Sequence, residues 1–362
     1  MNPLDTLLSD CVAGHRLTTR EAADLFRIKG TDVFHVVTAA DEKRREVVGE
    51  NITFIRNQNI NCTNICINQC GFCGFSREEA DKDAYLLTSD ELGSQARLAV
   101  QRGVTEICSV SGLHPSYTLI SYLDIFKTLK NIAPDIHLHA SNPMEVAYAA
   151  EKSRCSTREV LYAFKEAGVD TLCGTGAEIL SDPIRAVICP GKISTTEWVR
   201  IIKEAHNIGL KTTATIMYGH CESEDDRAMH LSIIRDIQDE TRGFTEFVPL
   251  SFIHQKTPLF NQGLAHPGAT GREDLLMTAV SRLFLDNMRN IQVSWVKYGL
   301  KMAQIGLLAG ANDLGGTLYE ESISREAGAT SGSYLDPAEM AYITSDLGRP
   351  LKERHTDYSL IE

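Results

Sequence analysis

Hydrophobic and polar positions repeat with a helical period of about 3.6 residues over the first part of this chain. Three amphipathic helices are predicted there, over residues 3–13, 18–28 and 31–48. Thr18 and Glu21 have the spacing of a capping box, in which each side chain satisfies a backbone N–H at the start of a helix. We therefore predict an N-terminal helical extension before the main domain.

Beyond this extension, short β-rich runs alternate with helical patterns. Eight runs are predicted as strands, at residues 52–55, 105–110, 136–140, 169–174, 212–217, 244–250, 291–296 and 315–319. Three of the helices between them begin with the same capping signal, at Thr88, Ser156 and Ser194. Eight strands that alternate with helices over about 270 residues are typical of a (β/α)8 barrel, which uses roughly 250 residues.

An open, doubly wound sheet also alternates strands and helices, but it usually has fewer strands and a Gly-rich phosphate turn after the first one. Here a cysteine-rich loop follows the first predicted strand instead. We therefore predict an α/β protein with one (β/α)8 TIM-type barrel at residues 49–325 and the helical extension at 1–48. Residues 326–362 are predicted to form a C-terminal helical tail that packs on the barrel.

Composition narrows the class of protein further. The chain has 362 residues, of which 43% are hydrophobic, and a formal net charge of −12. This acidity argues against a nucleic-acid partner, because phosphate binding needs a basic surface. No apolar run reaches the roughly 18 residues of a membrane span, and no leader pattern opens the chain, so we expect a cytoplasmic protein without a membrane partner. Its ten cysteines are then expected to be free thiols or metal ligands.

Three of these cysteines have a spacing that predicts an iron–sulfur site. Cys66, Cys70 and Cys73 follow the pattern Cys-x3-Cys-x2-Cys, with Phe72 just before the last thiol. Three thiolates can hold three irons of a [4Fe-4S] cluster and leave the fourth iron open to the amino and carboxylate groups of S-adenosylmethionine. The alternatives are a zinc site or an electron-transfer cluster that recruits Cys62 as a fourth ligand. The six other cysteines show no ligand spacing and are expected to be small core or loop residues.

Several positions after predicted strands are candidates for contacts with the cosubstrate. They are Phe72, Ser111, Gly112, Glu178, Met217, Tyr218 and Gly219. The ordinary alternatives are a strand-to-helix turn at Gly112 and a solvated carboxylate in the first turn of a helix at Glu178. His114 and His220 are the candidate catalytic residues, although a lone histidine is more often structural.

A late segment, GANDLGGTLYEE at residues 310–321, is unusually polar and Gly-rich for a pair of barrel strands. Its Asn312, Asp313, Glu320 and Glu321 are therefore candidate substrate contacts. Trp295, in the preceding word QVSWVK, is compatible with a simple core position.

Taken together, these sequence motifs resemble those of one subgroup of the radical S-adenosylmethionine (SAM) enzymes. The subgroup makes the deazaflavin chromophore of coenzyme F420 and the precursors of menaquinone in the futalosine route. HLHASNPMEV, GTGAEIL, ICPGKIST, TTATIMYGH, GFTEFVPLSF and NIQVSWVK occur in the same order as in that subgroup. GAND and LGGTLYEE favour the tyrosine-cleaving transferases over the menaquinone enzymes, aminofutalosine synthase and cyclic dehypoxanthinyl futalosine synthase.

The resemblance implies a [4Fe-4S] cluster, S-adenosylmethionine and a low-potential electron donor. It implies cleavage of the Cα–Cβ bond of L-tyrosine and transfer of the 4-hydroxybenzyl fragment to 5-amino-6-(D-ribitylamino)uracil. The products would be the 4-hydroxybenzyl dihydrouracil adduct, 2-iminoacetate, methionine and 5′-deoxyadenosine. The first subunit of the deazaflavin synthase would be a functional partner. An iron–sulfur electron carrier or a zinc-structured binding protein is the alternative outside enzymes.

The chain departs from the pattern of this subgroup at three places. Val110 and Ser111 stand where Gln and Gly are usual, and Ser141 and Asn142 stand where an aromatic residue and Ser are usual. Cys173 and Gly176 likewise replace Pro and Ala. All three places are expected to lie near the cosubstrate and substrate pockets.

Overall fold

The computed structural model describes residues 2–361. In this part of the chain the helices are α1 (Pro3–Val12), α2 (Thr19–Phe26), α3 (Asp32–Val48), α4 (Ser89–Gln101), α5 (Leu119–Ile132), α6 (Pro143–Ser153), α7 (Thr157–Glu166), α8 (Asp182–Ile188), α9 (Thr195–Asn207), α10 (Glu224–Thr241), α11 (Pro258–Asn261), α12 (Gly271–Phe284), α13 (Trp295–Tyr298), α14 (Leu300–Leu308), α15 (Ile323–Ala327) and α16 (Pro337–Asp346). The strands are β1 (Ile52–Ile55), β2 (Asn57–Asn59), β3 (Glu106–Ser109), β4 (His137–Ala140), β5 (Thr212–Tyr218), β6 (Phe244–Ser251), β7 (Asp313–Gly316) and β8 (Leu351–Glu353).

Parallel pairing closes these strands into a ring of eight positions. β2, β3 and β4 are neighbours, β5 pairs with β6, and β7 pairs with β1. Single bridges fill the gaps, at Thr171 and Leu172 between β4 and β5, and at Ile291 and Gln292 between β6 and β7. A bridge from Tyr319 to β2 completes the circuit. All eight predicted β-runs therefore contribute, and the (β/α)8 barrel is confirmed.

The helices begin where the sequence signals predict. Complete capping boxes start α2, α4 and α7, at Thr18, Thr88 and Ser156. Ser194 accepts a hydrogen bond from the backbone N–H of Glu197 at the start of α9. The apolar face of α9 is fully buried, because its large side chains pack between the barrel and the neighbouring helices.

The N-terminal helices lie on the outside of the barrel. α3 packs against α12, and α2 packs against α10 and α12. Arg272 at the start of α12 donates hydrogen bonds to the carbonyls of Phe26 and Ile28, each at 3.0 Å. These contacts satisfy two backbone carbonyls at the C-terminal end of α2, which a helix end otherwise leaves unpaired.

The C-terminal tail differs in part from its prediction as a helical segment. It contains α16, but residues 351–353 form β8, which pairs in parallel with β1. Beyond β8, Arg354, Thr356 and Tyr358 enter the N-terminal end of the barrel. There they contact Asp313, Glu106 and Glu246 respectively, at 2.5, 2.8 and 2.6 Å. The tail therefore closes the end of the barrel opposite the carboxyl ends of the strands.

Among residues 2–361, no helix combines the length and apolar character that a membrane crossing would require.

Candidate active site

One cavity of about 240 Å³ lies at the carboxyl ends of the barrel strands. Loops that follow β2, β3, β4, the bridge at Leu172 and β6 contribute to its lining, as does Met217 near the end of β5. This is the end at which (β/α)8 enzymes place their catalytic residues. Of the residues predicted for the site, those that line the cavity are Cys66, Cys70, Phe72, Cys73, Ser111, Gly112, Glu178 and Met217.

The three cysteines are presented by a loop without regular structure that follows β2. The loop is fixed at its ends and in its middle by backbone hydrogen bonds. Cys66 N–H donates to Arg77 O at 3.1 Å, Cys73 N–H donates to Cys70 O at 3.0 Å, and Gly71 N–H donates to Ile188 O at 2.9 Å. The thiols are therefore held against the barrel mouth by the backbone.

The spacing of these thiols fits a cluster better than a single metal ion. Zinc ligands lie about 3.8 Å apart, because each Zn–S bond is about 2.3 Å long in a tetrahedral site. Among residues 2–361, only Cys108, His139 and Cys173 bring three potential ligand atoms within 4.8 Å of one another. Cys66, Cys70 and Cys73 form no such group, so at least two of their sulfur atoms lie more than 4.8 Å apart, although all three residues line one cavity.

Cys62 lies outside the cavity lining, which argues against a fourth thiol ligand. It is 3% exposed, and its Sγ lies 3.9 Å from Ser109 Oγ within the core beside β3. Burial raises the pKa of the Cys62 thiol to about 11, so it remains a neutral packed residue. Cys62 is therefore packed in the core and does not share the cavity with Cys66, Cys70 and Cys73.

Burial also raises the pKa values of Cys70 and Cys73. A buried thiolate is costly unless a cation compensates its charge. Lys192 supplies a nearby positive charge that partly lowers both pKa values. The donor set thus fits a bound group that is itself cationic at its metal atoms, as an iron–sulfur cluster is.

Ser111 and Gly112 bring the loop after β3 against the cysteine loop. The Ser111 hydroxyl accepts a hydrogen bond from Cys62 N–H at 2.7 Å. A Cβ atom on Gly112 would lie 2.3 Å from the carbonyl oxygen of Ile65, so only glycine permits this approach. The two loops therefore pack backbone to backbone at the cavity wall.

Glu178 is held by Lys192 rather than by solvent. Their side chains form an ion pair with an N–O distance of 2.5 Å, and both line the cavity. Burial would raise the pKa of Glu178, but the charge and hydrogen bond of Lys192 outweigh burial and lower it. The Lys192 ammonium also lies 5.4 Å from the centre of the Phe72 ring, next to the cluster loop.

Three charged cavity residues were not singled out from the sequence, namely Glu145, Lys192 and Lys297, whereas Asn142, one of the departures from the subgroup pattern, also lines the cavity. Asn142 caps α6 by accepting hydrogen bonds from Met144 and Glu145 N–H groups. Burial raises the pKa of Glu145 to about 8, and its Oε2 has no hydrogen-bond partner. Lys297 Nζ has no ion pair or hydrogen bond among the described residues. Glu145, Lys192 and Lys297 are charged residues inside the sequence motifs HLHASNPMEV, ICPGKIST and NIQVSWVK, and this is the signal that could have identified them.

Tyr218, Gly219 and His220 were also candidates from the sequence, but they do not line the cavity. Tyr218 is fully buried and donates a hydrogen bond to Asp274 at 2.7 Å. Gly219 packs against Ala269, where a Cβ atom would come within 2.5 Å of a backbone nitrogen. His220 is also fully buried, and its Nδ1 lies 3.1 Å from Glu222. Their polar atoms are used inside the fold.

His114 likewise has a structural position. Its Nδ1 lies 2.7 Å from the Ser116 hydroxyl, and its carbonyl accepts a hydrogen bond from Tyr148. Its ring packs on Tyr117 with centroids 5.3 Å apart. The structure therefore places neither candidate histidine against the cavity.

The polar segment at residues 310–321 is mostly structural. Asn312 accepts hydrogen bonds from Arg282 and from the backbone of Ile291. Asp313 pairs with Arg354 at the opposite end of the barrel. Glu320 is exposed and pairs with Arg102 at 2.7 Å, which leaves it outside the cavity lining.

Glu321 differs from the other acids of this segment. Its Oε1 accepts a hydrogen bond from Ser324 N–H at 2.8 Å, whereas its buried Oε2 has no partner. It also exerts an electrostatic effect on Lys297, so it is the one member of this segment close to the cavity charges.

Sequence comparison identifies two matching families. The profile of the radical SAM superfamily matches residues 60–234, and that of the CofH/MqnC C-terminal region matches residues 241–355. A relative from Methanospirillum hungatei is 65% identical over 359 residues, covering 99% of this chain and 98% of the relative. Its name is 5-amino-6-(D-ribitylamino)uracil–L-tyrosine 4-hydroxyphenyl transferase. A relative of the same name from Methanothermobacter thermautotrophicus is 47% identical, covering 96% of this chain and 95% of its own length.

Solved structures of other enzymes share the fold. Methylornithine synthase (PylB) matches with a TM-score of 0.75 at 17% identity, over 95% of this chain and 97% of the other. HydG, a maturase of the [FeFe]-hydrogenase, matches with a TM-score of 0.77 at 15% identity, over 96% and 76%. These two matches concern the fold, whereas the relatives and family profiles show that the chain belongs to the radical SAM superfamily, whose cofactors are a [4Fe-4S] cluster and S-adenosylmethionine, and to its 4-hydroxyphenyl transferase family.

Proposed function

We propose that this enzyme cleaves the Cα–Cβ bond of L-tyrosine and joins the 4-hydroxybenzyl fragment to 5-amino-6-(D-ribitylamino)uracil. The products are 5-amino-5-(4-hydroxybenzyl)-6-(D-ribitylimino)-5,6-dihydrouracil, 2-iminoacetate, methionine and 5′-deoxyadenosine. The observation that carries the proposal is a single cavity in which three thiols and two lysines converge. Relatives that carry this activity in their name match the chain over nearly its whole length.

Cys66, Cys70 and Cys73 would hold the cluster, because they are the three cysteines that line the cavity. The cluster and S-adenosylmethionine supply a 5′-deoxyadenosyl radical when they are bound. Ser111 and Gly112 shape the adjoining wall, and Met217 offers an apolar side chain at the end of β5. The protein therefore provides the three thiols and a closely packed wall beside them.

Two lysines match the two amino-acid groups that the reaction requires. S-adenosylmethionine and tyrosine each carry an α-carboxylate and an α-ammonium group. Lys192 lies beside Phe72 and Glu178, so it is assigned to the methionyl group near the cluster. Lys297 has no anionic partner at hydrogen-bond distance among residues 2–361, so it is assigned to the tyrosine carboxylate.

Apolar residues exclude water from the same cavity. Phe72, Phe75, Leu250, Phe252 and Ile253 line it between the polar groups. A dry, closed site prevents a reactive radical from being quenched by solvent or side reactions. The polar groups are thus few, and each is available to fix the orientation of a substrate.

The remaining partners are proposed from the chemistry. A low-potential electron donor must reduce the cluster, and the first subunit of the deazaflavin synthase is the proposed consumer of the product. All ten cysteines are free thiols, which supports action in the reducing cytoplasm. We propose no nucleic-acid partner for this protein.

The test is an anaerobic assay with reconstituted protein, dithionite, S-adenosylmethionine, tyrosine and the diaminouracil. Mass spectrometry should detect the uracil adduct, 5′-deoxyadenosine and breakdown products of 2-iminoacetate. Cys66→Ala should retain the fold by circular dichroism but lose iron and all three products. Full turnover by Cys66→Ala would exclude the ligand assignment.

The same assay separates the competing functions. Reaction with futalosine-route substrates alone would reassign the chain to the menaquinone enzymes of the subgroup. Binding of a metal by four protein ligands, without cleavage of S-adenosylmethionine, would instead indicate an electron carrier or a zinc-structured protein. Electron paramagnetic resonance of the reduced cluster, with and without S-adenosylmethionine, distinguishes an open iron from a closed one.

A further inference from the structure

A second group of metal-binding side chains lies inside the barrel, apart from the three cluster thiols. Cys108 on β3, His139 on β4 and Cys173 after the bridge at Leu172 bring one ligand atom each within 4.8 Å of one another. Neither the spacing of these residues in the sequence nor the proposed reaction accounts for this convergence. Within residues 2–361 it is the only such group of three.

Strand pairing explains why these three side chains meet. Cys108 and His139 are direct partners in the parallel register of β3 and β4. Thr171 bridges to His139 from the next position of the ring, and Cys173 follows two residues later. The Cys173 thiol lies 3.8 Å from the carbonyl oxygen of His139. Three adjacent strand positions of the barrel therefore hold Cys108, His139 and Cys173 close together.

The site lies just beneath the active-site cavity. Val110 and Thr175 line that cavity, and each is two residues beyond a cysteine of the group on a segment that runs toward it. Cys173 and His139 are buried, whereas Cys108 is only half-buried. The group is therefore not completely sealed from solvent, because Cys108 retains some exposure.

The histidine is already oriented for binding through one nitrogen. Nδ1 of His139 lies 2.7 Å from the hydroxyl of Thr171, which also lies 2.8 Å from Nε2 of His137. If Thr171 accepts from Nδ1–H and donates to His137, Nε2 of His139 keeps a free lone pair. Ligating histidines commonly have this second hydrogen bond, which fixes the ring and its tautomer.

We propose that Cys108, His139 and Cys173 bind one Zn²⁺ ion beneath the active-site cavity. Two thiolates and an imidazole are ligands that zinc prefers, and three protein ligands leave a fourth position for water or a substrate heteroatom. Two thiolate charges neutralise the ion, so the complex suits a buried site. Asn59 on β2 is the register partner of Cys108. Its buried Oδ1 has no hydrogen-bond partner, so an unsatisfied acceptor lies on the strand next to the three proposed ligands.

The test uses protein loaded with its iron–sulfur cluster, so that zinc cannot occupy Cys66, Cys70 and Cys73. Anaerobic samples are equilibrated with Zn²⁺ in a chelator buffer, and zinc and iron per chain are measured by mass spectrometry. Zinc K-edge absorption, which iron does not obscure, then gives the ligand distances. We expect one zinc per chain, with two sulfurs at about 2.3 Å and a nitrogen at about 2.0 Å.

Variants link this zinc to the proposed ligands. Cys173→Ser and His139→Gln should each weaken zinc binding by at least about 10-fold, and Thr171→Val, which keeps all three ligands, by about 10- to 100-fold. Cys155→Ser, at a half-exposed cysteine beyond the end of α6, is the matched control and should bind zinc as the parent does. Iron content and circular dichroism verify that each variant is folded and loaded.

The opposing outcomes are equally specific. No zinc in the loaded protein, zinc without sulfur ligands, or zinc that survives Cys173→Ser and Thr171→Val unchanged would each overturn the proposal. A mass lower by two hydrogens in the metal-free protein, lost in Cys173→Ser, would replace it with a Cys108–Cys173 disulfide. None of these results depends on turnover, so they are independent of the proposed transferase activity.

Discussion

Lys297 has a cationic side chain in a cavity where its charge has no bound partner. Burial lowers its pKa, since an ammonium group loses solvation there, and Glu321 and Glu178 act in the opposite direction. We predict that Lys297→Met raises the KM for tyrosine by about 10- to 100-fold, because a charge-assisted hydrogen bond contributes about 1.5–3 kcal/mol. Steady-state kinetics at saturating S-adenosylmethionine measures this effect.

The complementary variant makes this assignment specific. Lys192→Met should weaken S-adenosylmethionine binding and leave the KM for tyrosine nearly unchanged, because Lys192 lies beside Glu178 and Phe72. Lys301→Met, at an exposed position on α14, should leave both values unchanged. The division of roles would be wrong if Lys297→Met affected only S-adenosylmethionine.

Glu145, which lines the same cavity, should make the stability of the folded protein depend on pH. Its pKa is raised by burial from an ordinary value of 4.5 to about 8. Between these values the unfolded chain loses the proton while the folded chain keeps it, so the free energy of unfolding falls as pH rises. We predict that Glu145→Gln removes this loss, which is on the order of a few kcal/mol by pH 8. Urea unfolding of cluster-loaded protein from pH 5 to 9 measures it.

A neighbouring carboxylate provides the control for this effect. Glu151 lies on the same helix α6 but is exposed, so Glu151→Gln should preserve the pH slope of the parent. A parental slope in Glu145→Gln would mean that Glu145 is ionised in the folded protein. The unpartnered Oε2 of Glu145 would then need a cation that the structure does not place there.

At the level of the elements, two loops are joined where Gly112 meets the cysteine loop. Gly112 N–H donates to Thr63 O at 2.9 Å, and Ile67 N–H donates to Leu113 O at 3.1 Å. We predict that Gly112→Ala destabilises the protein by about 1–3 kcal/mol, because its Cβ would meet the Ile65 carbonyl. The iron content per chain after reconstitution should fall as well, because the loop that contains Ile65 also carries the three cluster thiols.

Thermal unfolding and iron analysis test this prediction together. Gly271→Ala is the matched control, because a Cβ atom at the first residue of α12 meets nothing within 4 Å. Alanine favours a helix over glycine by up to about 1 kcal/mol, so this variant should be neutral or stabilising. Full iron content and parental stability in Gly112→Ala would show that the two loops can separate without affecting the site.

The secondary-structure elements also show how much of the fold could be predicted from the sequence. The helices and the eight strand positions follow from local periodicity and capping residues such as Thr18 and Thr88, which depend on neighbours in sequence. β8 was missed because its three residues are mostly polar and its partner β1 lies almost 300 positions earlier. Asn312 and Asp313 were interpreted as substrate contacts because their partners, Arg282 and Arg354, cannot be identified from the local pattern.

The candidate site was predictable to a similar extent. The thiol spacing and the small residues Ser111 and Gly112 pointed to positions that do line the cavity. Lys297 and Glu145 became visible only when the barrel placed them on one surface, because a single charged residue within a family-like word has no distinctive spacing. His220 shows the opposite error, since its motif lies near the site while its ring points into the fold.

On the scale of the whole molecule, the segment after β8 closes the end of the barrel opposite the cavity. Arg354 links the tail to the barrel through two hydrogen bonds to Asp313, at 2.5 and 3.1 Å, and lies 3.6 Å from Glu246. Its guanidinium also stacks on the Tyr358 ring, 3.9 Å from the centroid. One buried cation therefore compensates carboxylates from two separate strands.

Arg354→Met should reveal how much the fold depends on this closure. The variant leaves Asp313 and Glu246 buried without their cation, and removing one partner of a buried pair costs about 3–5 kcal/mol. The double variant Arg354→Met, Asp313→Asn should recover part of this loss, because it removes one of the uncompensated charges. Lys352→Met, at an exposed position of β8, should stay within about 0.5 kcal/mol of the parent. Urea unfolding of the parent and the three variants measures these differences. The stabilising role of Arg354 would be contradicted if Arg354→Met were as stable as the parent, or if the double variant were no more stable than Arg354→Met.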